Sequence, residues 1–198
     1  MRVFGLTGNI GSGKSSVAAM FREEGIPMLD VDRISREVTA PGERAYRRVI
    51  EAFGAAILRP DGAIDRKRLG EIVFANAEHR ARLEEITHPA ILDAMKEALS
   101  ALSREGHRAA IVEAALVYET GRKGILGKVI SVRCDEGIQV RRLMDRDGIT
   151  REQAVARIGA QMDAEEKARS ADYVIDNSGS LENTRRQVRR IARILLGP

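Results

Sequence analysis

Residues Gly8-Asn9-Ile10-Gly11-Ser12-Gly13-Lys14-Ser15 meet every fixed position of the phosphate-loop pattern G-x-x-x-x-G-K-[ST]. The flanks agree with it. Val3-Phe4-Gly5-Leu6-Thr7 reads as a short buried strand, and Ser16–Arg22 carries Val17, Met20 and Phe21 on one helical face. Glycines let the backbone curl so that N–H groups converge on phosphate oxygens, and the helix N-terminus adds partial positive charge. Lys14 can reach β- and γ-phosphates, and the Ser15 hydroxyl can ligate Mg²⁺. A chain built this way is expected to bind a nucleoside triphosphate on a parallel α/β sheet.

Five short apolar segments read as strands: Val3–Thr7, Pro27–Val31, Ala109–Ala114, Lys128–Arg133 and Tyr173–Asp176. Helical patterns separate most of them, which predicts a three-layer α/β/α core. The core is assigned to residues 1–40, 106–148 and 171–198. Residues 41–105 hold no convincing strand and read as a helical, substrate-binding insertion. Its helices are predicted over Glu43–Phe53, Asp65–Phe74, Ala77–Thr87 and Pro89–Arg104, with Asp65 and Asn76 as N-caps and Pro89 in a first turn. Residues 149–170 open on a capping box, Thr150-Arg151-Glu152-Gln153, and continue to a short helix at Ala164–Arg169. This segment suits a lid over the triphosphate or an ordinary surface helical pair.

Composition narrows the partners. The 198 residues carry a net charge of +4, and only six of the 33 basic residues are lysine. Arginine forks match phosphate oxygens. Aromatic residues make up 4% and tryptophan is absent, so a stacking platform for nucleic acid is not expected. Arg185, Arg186, Arg189, Arg190 and Arg193 fall on one helical face and read as a solvated surface. No apolar run reaches the roughly 18 residues of a membrane span, and no signal-peptide layout is present. The expectation is a cytoplasmic monomer or weak homo-oligomer. Cys134 is the only cysteine and reads as a small strand-end residue.

Several residues could carry chemistry. Asp30 and Asp32 stand at the end of the second strand, where an open parallel sheet faces its ligand crevice. Asp32 is the candidate base for an attacking hydroxyl; it is equally placed to cap the following helix, Arg33–Val38. Glu113, near the third strand's end, could hold Mg²⁺ through water or bind substrate, and Glu119 could do similar work. Arg142 and Arg146 share a helix face and could clamp a transferring phosphoryl group, or pair with Asp145 or Asp147. His88, before Pro89, could touch ligand or be structural. No N-K-x-D occurs, which argues against a GTPase-type hydrolase.

The chain resembles the dephospho-coenzyme A kinase family over essentially its whole length. The carriers are Gly5-Leu6-Thr7-Gly8 leading into the phosphate loop, Leu29-Asp30-Val31-Asp32 followed by Ile34-Ser35-Arg36, and Pro41-Gly42. They continue with Phe74-Ala75-Asn76, His88-Pro89-Ala90-Ile91, Leu116-Val117-Tyr118-Glu119, Arg142–Asp147, Gln161 and Ala171–Gly179. The resemblance implies transfer of the γ-phosphoryl group of ATP, with Mg²⁺, to the ribose 3′-hydroxyl of dephospho-coenzyme A. It implies ATP contacts along Gly8–Ser16, the loop positions Asn9, Ile10, Gly11, Ser12 and Gly13 included, and at Arg142, Arg146 and Asn177. Lys14 and Arg142 would act on the phosphates, and Ser15 would hold the metal. Asp32 would be the base, with His88 and Glu113 beside the acceptor. Three departures stand out. Ser16 replaces a common threonine. Asn9 replaces a common glycine, and asparagine tolerates positive φ. Glu113-Ala114-Ala115-Leu116 replaces Asp-x-Pro-Leu.

Overall fold

The computed structural model describes residues 1–113 and 127–197. Its elements run β1 (Arg2–Gly8), α1 (Lys14–Glu23), β2 (Met28–Asp30), α2 (Val31–Val38), α3 (Arg44–Phe53), α4 (Arg66–Ala75) and α5 (Ala77–Arg104). After these come β3 (Ala109–Glu113), β4 (Lys128–Arg133), α6 (Glu136–Asp147), α7 (Arg151–Gly159), α8 (Ala164–Arg169), β5 (Tyr173–Asp176) and α9 (Leu181–Leu196). Two compact units result, one of Met1–Leu29 with Leu102–Pro198, the other of Asp30–Ala101.

The first unit is built on a five-stranded sheet in the order β2-β3-β1-β4-β5. β1 lies at its centre, parallel to β3 and β4, and β4 is parallel to β5. Both faces of β1 are buried from Phe4 onward, which is why its sequence is continuously apolar instead of alternating. On one face Phe4, Leu6, Ile111, Ile130, Val132 and Ile175 meet Val17 and Phe21 of α1 and Val188 and Leu195 of α9. Each fully buried large side chain there contributes roughly 1.5–3 kcal/mol. The predicted arginine face of α9 is partly spent on α1: Arg185 pairs with Glu23, and Arg189 with Glu24 at 3.2 Å. The predicted capping box of α7 is present, with Thr150 and Gln153 exchanging bonds.

The second unit has a core of its own, in which Val49, Ile57, Leu69, Val73 and Ile86 pack with Phe53 and Leu83. The predicted caps form here. Asp65 accepts the Lys67 and Arg68 N–H groups, and Asn76 those of Glu78 and His79.

Three expectations are corrected. Val31 opens α2 and does not end β2, because Asp30 caps the helix by accepting the Asp32 and Arg33 N–H groups. The helices expected on either side of His88 are one helix of 28 residues with Pro89 inside it. Pro89 is exposed, so solvent can serve the carbonyl that its missing N–H leaves unbonded. Asn9 does not need its tolerance of positive φ, since among the described residues only glycines adopt it. Ala114 and the stretch Ala115–Glu119, on which part of the third-strand reading and Glu119 fall, lie outside the described residues. No described helix is long and apolar enough to cross a membrane.

Candidate active site

The phosphate loop leaves the central strand at Gly8 and ends at Gly13, the N-cap of α1 with φ 88°. Two glycines are obligatory for space as well as torsion. A Cβ on Gly8 would lie 2.4 Å from the Val132 carbonyl, and one on Gly13 would lie 2.1 Å from Asn177 Nδ2. Within the loop, Ser12 N–H donates to the Asn9 carbonyl at 3.1 Å. The N–H groups of Gly11, Gly13 and Ser15 meet no acceptor among the described residues. They form an N–H concavity at the start of α1, the physical requirement for binding a polyphosphate. Lys14 Nζ donates to the Gly8 carbonyl at 2.7 Å, which folds the ammonium back over the loop. Ser15 and Ser16 are exposed.

Residues distant in sequence hold this loop in shape. Asn177, at the end of β5, is 5% exposed. Its Nδ2 donates to the Ser12 carbonyl at 2.8 Å, and its Oδ1 accepts from Thr184 Oγ1 at 2.9 Å. Arg142 from α6 donates through NH1 to the Gly11 and Ser12 carbonyls, both at 3.3 Å, and through NH2 to the Asn177 carbonyl at 3.2 Å. Arg142 therefore pairs with neither Asp145 nor Asp147; it is a brace under the loop. Arg146 does take the ion-pair option, bonding Asp147 at 2.7 Å, while Arg157 bonds the same carboxylate at 2.9 Å. Hydrogen bonding by Arg146 holds the Asp147 carboxyl below its ordinary range. Loop, Lys14, Ser15, Arg142 and Arg146 together line a cavity of about 240 Å³. That is smaller than the roughly 300–1,000 Å³ of whole-ligand sites and suits a phosphate tail.

The segment between α7 and α8 touches the loop too. Gln161 Oε1 accepts the Ile10 N–H at 2.7 Å, and Asn9 Nδ2 donates to the Met162 carbonyl at 2.8 Å. Ile10 packs with Leu143, Ala154 and Ile158. Asn9 Oδ1 and Ser12 Oγ are buried without a hydrogen-bond partner, so the loop retains unused polar capacity. Sequence reasoning did not assign Gln161, Thr184 or Asn9's side chain to this work; no local pattern encodes a bond across 151 residues. Cys134 is buried beside Asn177 and Arg142, and burial pushes its thiol up, so it stays protonated and inert.

Glu113 ends β3 in register with Leu6, two residues before the loop, and is half-buried. Asp32 and His88 belong to the second unit. Asp32 is exposed in the first turn of α2, and its carboxylate has no partner among the described residues. The capping role open to it in the sequence is filled by Asp30. His88 is half-buried in α5.

A phosphate loop between the central strand and first helix of a five-stranded parallel sheet defines a P-loop NTPase fold. A shikimate kinase from Acinetobacter baumannii shares this fold at a TM-score of 0.53 and 17% identity, covering 99% of this chain and 93% of that one. The model of the dephospho-CoA kinase family matches residues 2–183, and the chain belongs to that family. Dephospho-CoA kinases of Geobacillus kaustophilus and Geobacter sulfurreducens are 48% and 46% identical to it. The alignments cover 93% and 96% of this chain and 92% and 97% of those relatives. A crystal structure from Thermus thermophilus superposes with a TM-score of 0.86 at 36% identity, covering 99% of this chain and 98% of that one. The dephospho-CoA kinase of Campylobacter jejuni gives 0.71 at 33% identity, covering 98% of both. The protein is thus a kinase, a transferase of coenzyme A biosynthesis.

Proposed function

We propose that the chain moves the γ-phosphoryl group of ATP to the ribose 3′-hydroxyl of dephospho-CoA, in the cytoplasm, as a monomer or weak homo-oligomer. The observation that carries the nucleotide half is the N–H concavity of Gly11, Gly13 and Ser15 with Lys14 folded over it. Those dipoles and the ammonium are fixed before substrate arrives, so they stabilise transferring charge without reorganising. In this reading Arg142 keeps the loop carbonyls turned away from the phosphates, and Arg146, on the cavity wall, approaches the transferring group once it leaves Asp147. Asn177 acts by holding Ser12 and its neighbours in place.

Magnesium fits the donors on offer. The described residues hold no cluster of three His, Cys, Asp or Glu, and Mg²⁺ prefers one or two protein oxygens with phosphates and water. The exposed Ser15 hydroxyl would hold it. When bound, Mg²⁺ neutralises charge on the phosphate oxygens. Asp32 orients the acceptor hydroxyl and takes its proton; its carboxylate is available because Asp30 does the capping. His88 and Glu113 are assigned to the acceptor side. The test is ADP release from Mg-ATP with and without dephospho-CoA, with the product weighed. Acceptor-dependent release with a mass gain of one phosphate is expected; release indifferent to the acceptor would refute the reading.

A further inference from the structure

The second unit holds a basic cavity that the roles above leave unused. It measures about 460 Å³ and is lined by Arg36 and Thr39 at the end of α2, by Arg59, and by Asp65, Arg66 and Lys67 at the start of α4. Four cationic side chains there face one carboxylate. Asp65 is engaged as the cap of α4, its Oδ1 taking two backbone N–H groups. Arg59 is paired with Asp61 at 2.8 Å. The Arg36 guanidinium has no ion pair or hydrogen bond among the described residues.

Arg66 is fixed but not neutralised. Its NH2 donates to Thr39 Oγ1 at 2.8 Å, and the Thr39 hydroxyl donates onward to the Ser35 carbonyl at 2.6 Å. Thr39 is 6% exposed, so this relay is a built part of the unit. Partial desolvation and the positive charge of Arg36 both draw the Arg66 guanidinium below its ordinary pKa. Two guanidinium groups kept in mutual repulsion, with no carboxylate between them, are matched by an anion. Their planar forks fit phosphate oxygens in particular.

We propose that the cavity between Arg36 and Arg66 binds the diphosphate of the acceptor. The inference rests on the reading of dephospho-CoA as acceptor, a molecule in which a diphosphate joins adenosine to the pantetheine arm. The same chemistry is present in ATP, but the phosphate loop already supplies N–H donors and a lysine for that tail. The lining arginines are exposed, which suits a diphosphate in the middle of a long substrate whose two ends are held elsewhere.

Binding of dephospho-CoA to the full chain tests this, with Mg²⁺ and a non-hydrolysable ATP analogue saturating the phosphate loop. The variants are R36A, R66A and the charge-keeping R36K and R66K, each checked for an intact melting transition. R36A and R66A should each weaken dephospho-CoA roughly 10- to 100-fold, the scale of a lost charge-assisted bond, with the lysine variants in between. Adenosine, which lacks the diphosphate, should lose less than about twofold in the same variants. Raised salt should weaken wild type more than R66A. Unchanged dephospho-CoA affinity in R36A and R66A overturns the proposal. So does an equal loss for adenosine, which would mean the arginines only shape the unit. Weakened binding of the ATP analogue in place of the acceptor would reassign the cavity to the nucleotide and also overturn it. A wild type that binds dephospho-CoA through these arginines yet releases no ADP with it refutes the kinase reading and leaves the site standing.

Discussion

Asp30 and Asp32 share a motif and a charge, yet Asp30 Oδ1 is spent on the first N–H groups of α2 while Asp32 has no described partner. Substitution should separate them. Asp32→Asn should lower kcat by about 10²- to 10⁴-fold, the usual worth of a general base, with ATP affinity and melting temperature unchanged. Asp30→Ala removes a cap and should cost about 1 kcal/mol of stability, read as a lower thermal midpoint. A kcat near wild type in Asp32→Asn would remove Asp32 from the chemistry. Asn177 is a second such case. Asn177→Ala leaves the Ser12 carbonyl and Thr184 Oγ1 each short of a bond, and should cost about 1–3 kcal/mol in denaturant titrations, with weaker ATP binding.

At the scale of elements, the α7–α8 connection is tied to the phosphate loop by two hydrogen bonds. Gln161→Ala frees the Ile10 N–H, so hydrogen exchange at that amide should accelerate while amides in β4 stay protected. Unaltered exchange at Ile10 would show that packing, not Gln161, holds the segment. The strand ends of β4 and β5 are tied by Arg133 and Asp176 at 2.8 Å. Burial would raise the Asp176 carboxyl, but bonds from Ser178 and Arg133 outweigh it and hold the group below its ordinary 3.8. A depressed carboxyl contributes stability that is present above its unfolded value and lost as pH falls through the folded one. The stability gap between wild type and Asp176→Asn should therefore be full at pH 7 and shrink below about pH 4, read from melts across that range.

Among the described residues, one core lies under the sheet and another, with no residue in common with it, among α3, α4 and α5. Phe21→Ala should cost about 3–5 kcal/mol and Ile57→Ala about 2–5 kcal/mol in urea titrations, since both side chains are fully buried. At this scale much was legible in the residues. A phosphate loop needs a strand before it and a helix after it, and short apolar runs flanked by helical patterns admit little but a parallel sheet. Asp65, Asn76 and Thr150 announce helix starts because a cap is a contact across two or three residues. The start of α2 was misread because two aspartates compete for one cap, and the continuity of α5 because a proline on a solvent-facing turn is cheaper than its propensity implies. Local chemistry therefore determined, from sequence alone, the sheet, the loop and most caps, and the family entered through the resemblance of its motifs. Tertiary structure alone decided that Asn177 and Arg142 brace the loop, that Gln161 takes the Ile10 N–H, and that Arg36 and Arg66 line one cavity. Each depends on groups brought together from positions far apart in the chain, and no local period or spacing records such a meeting.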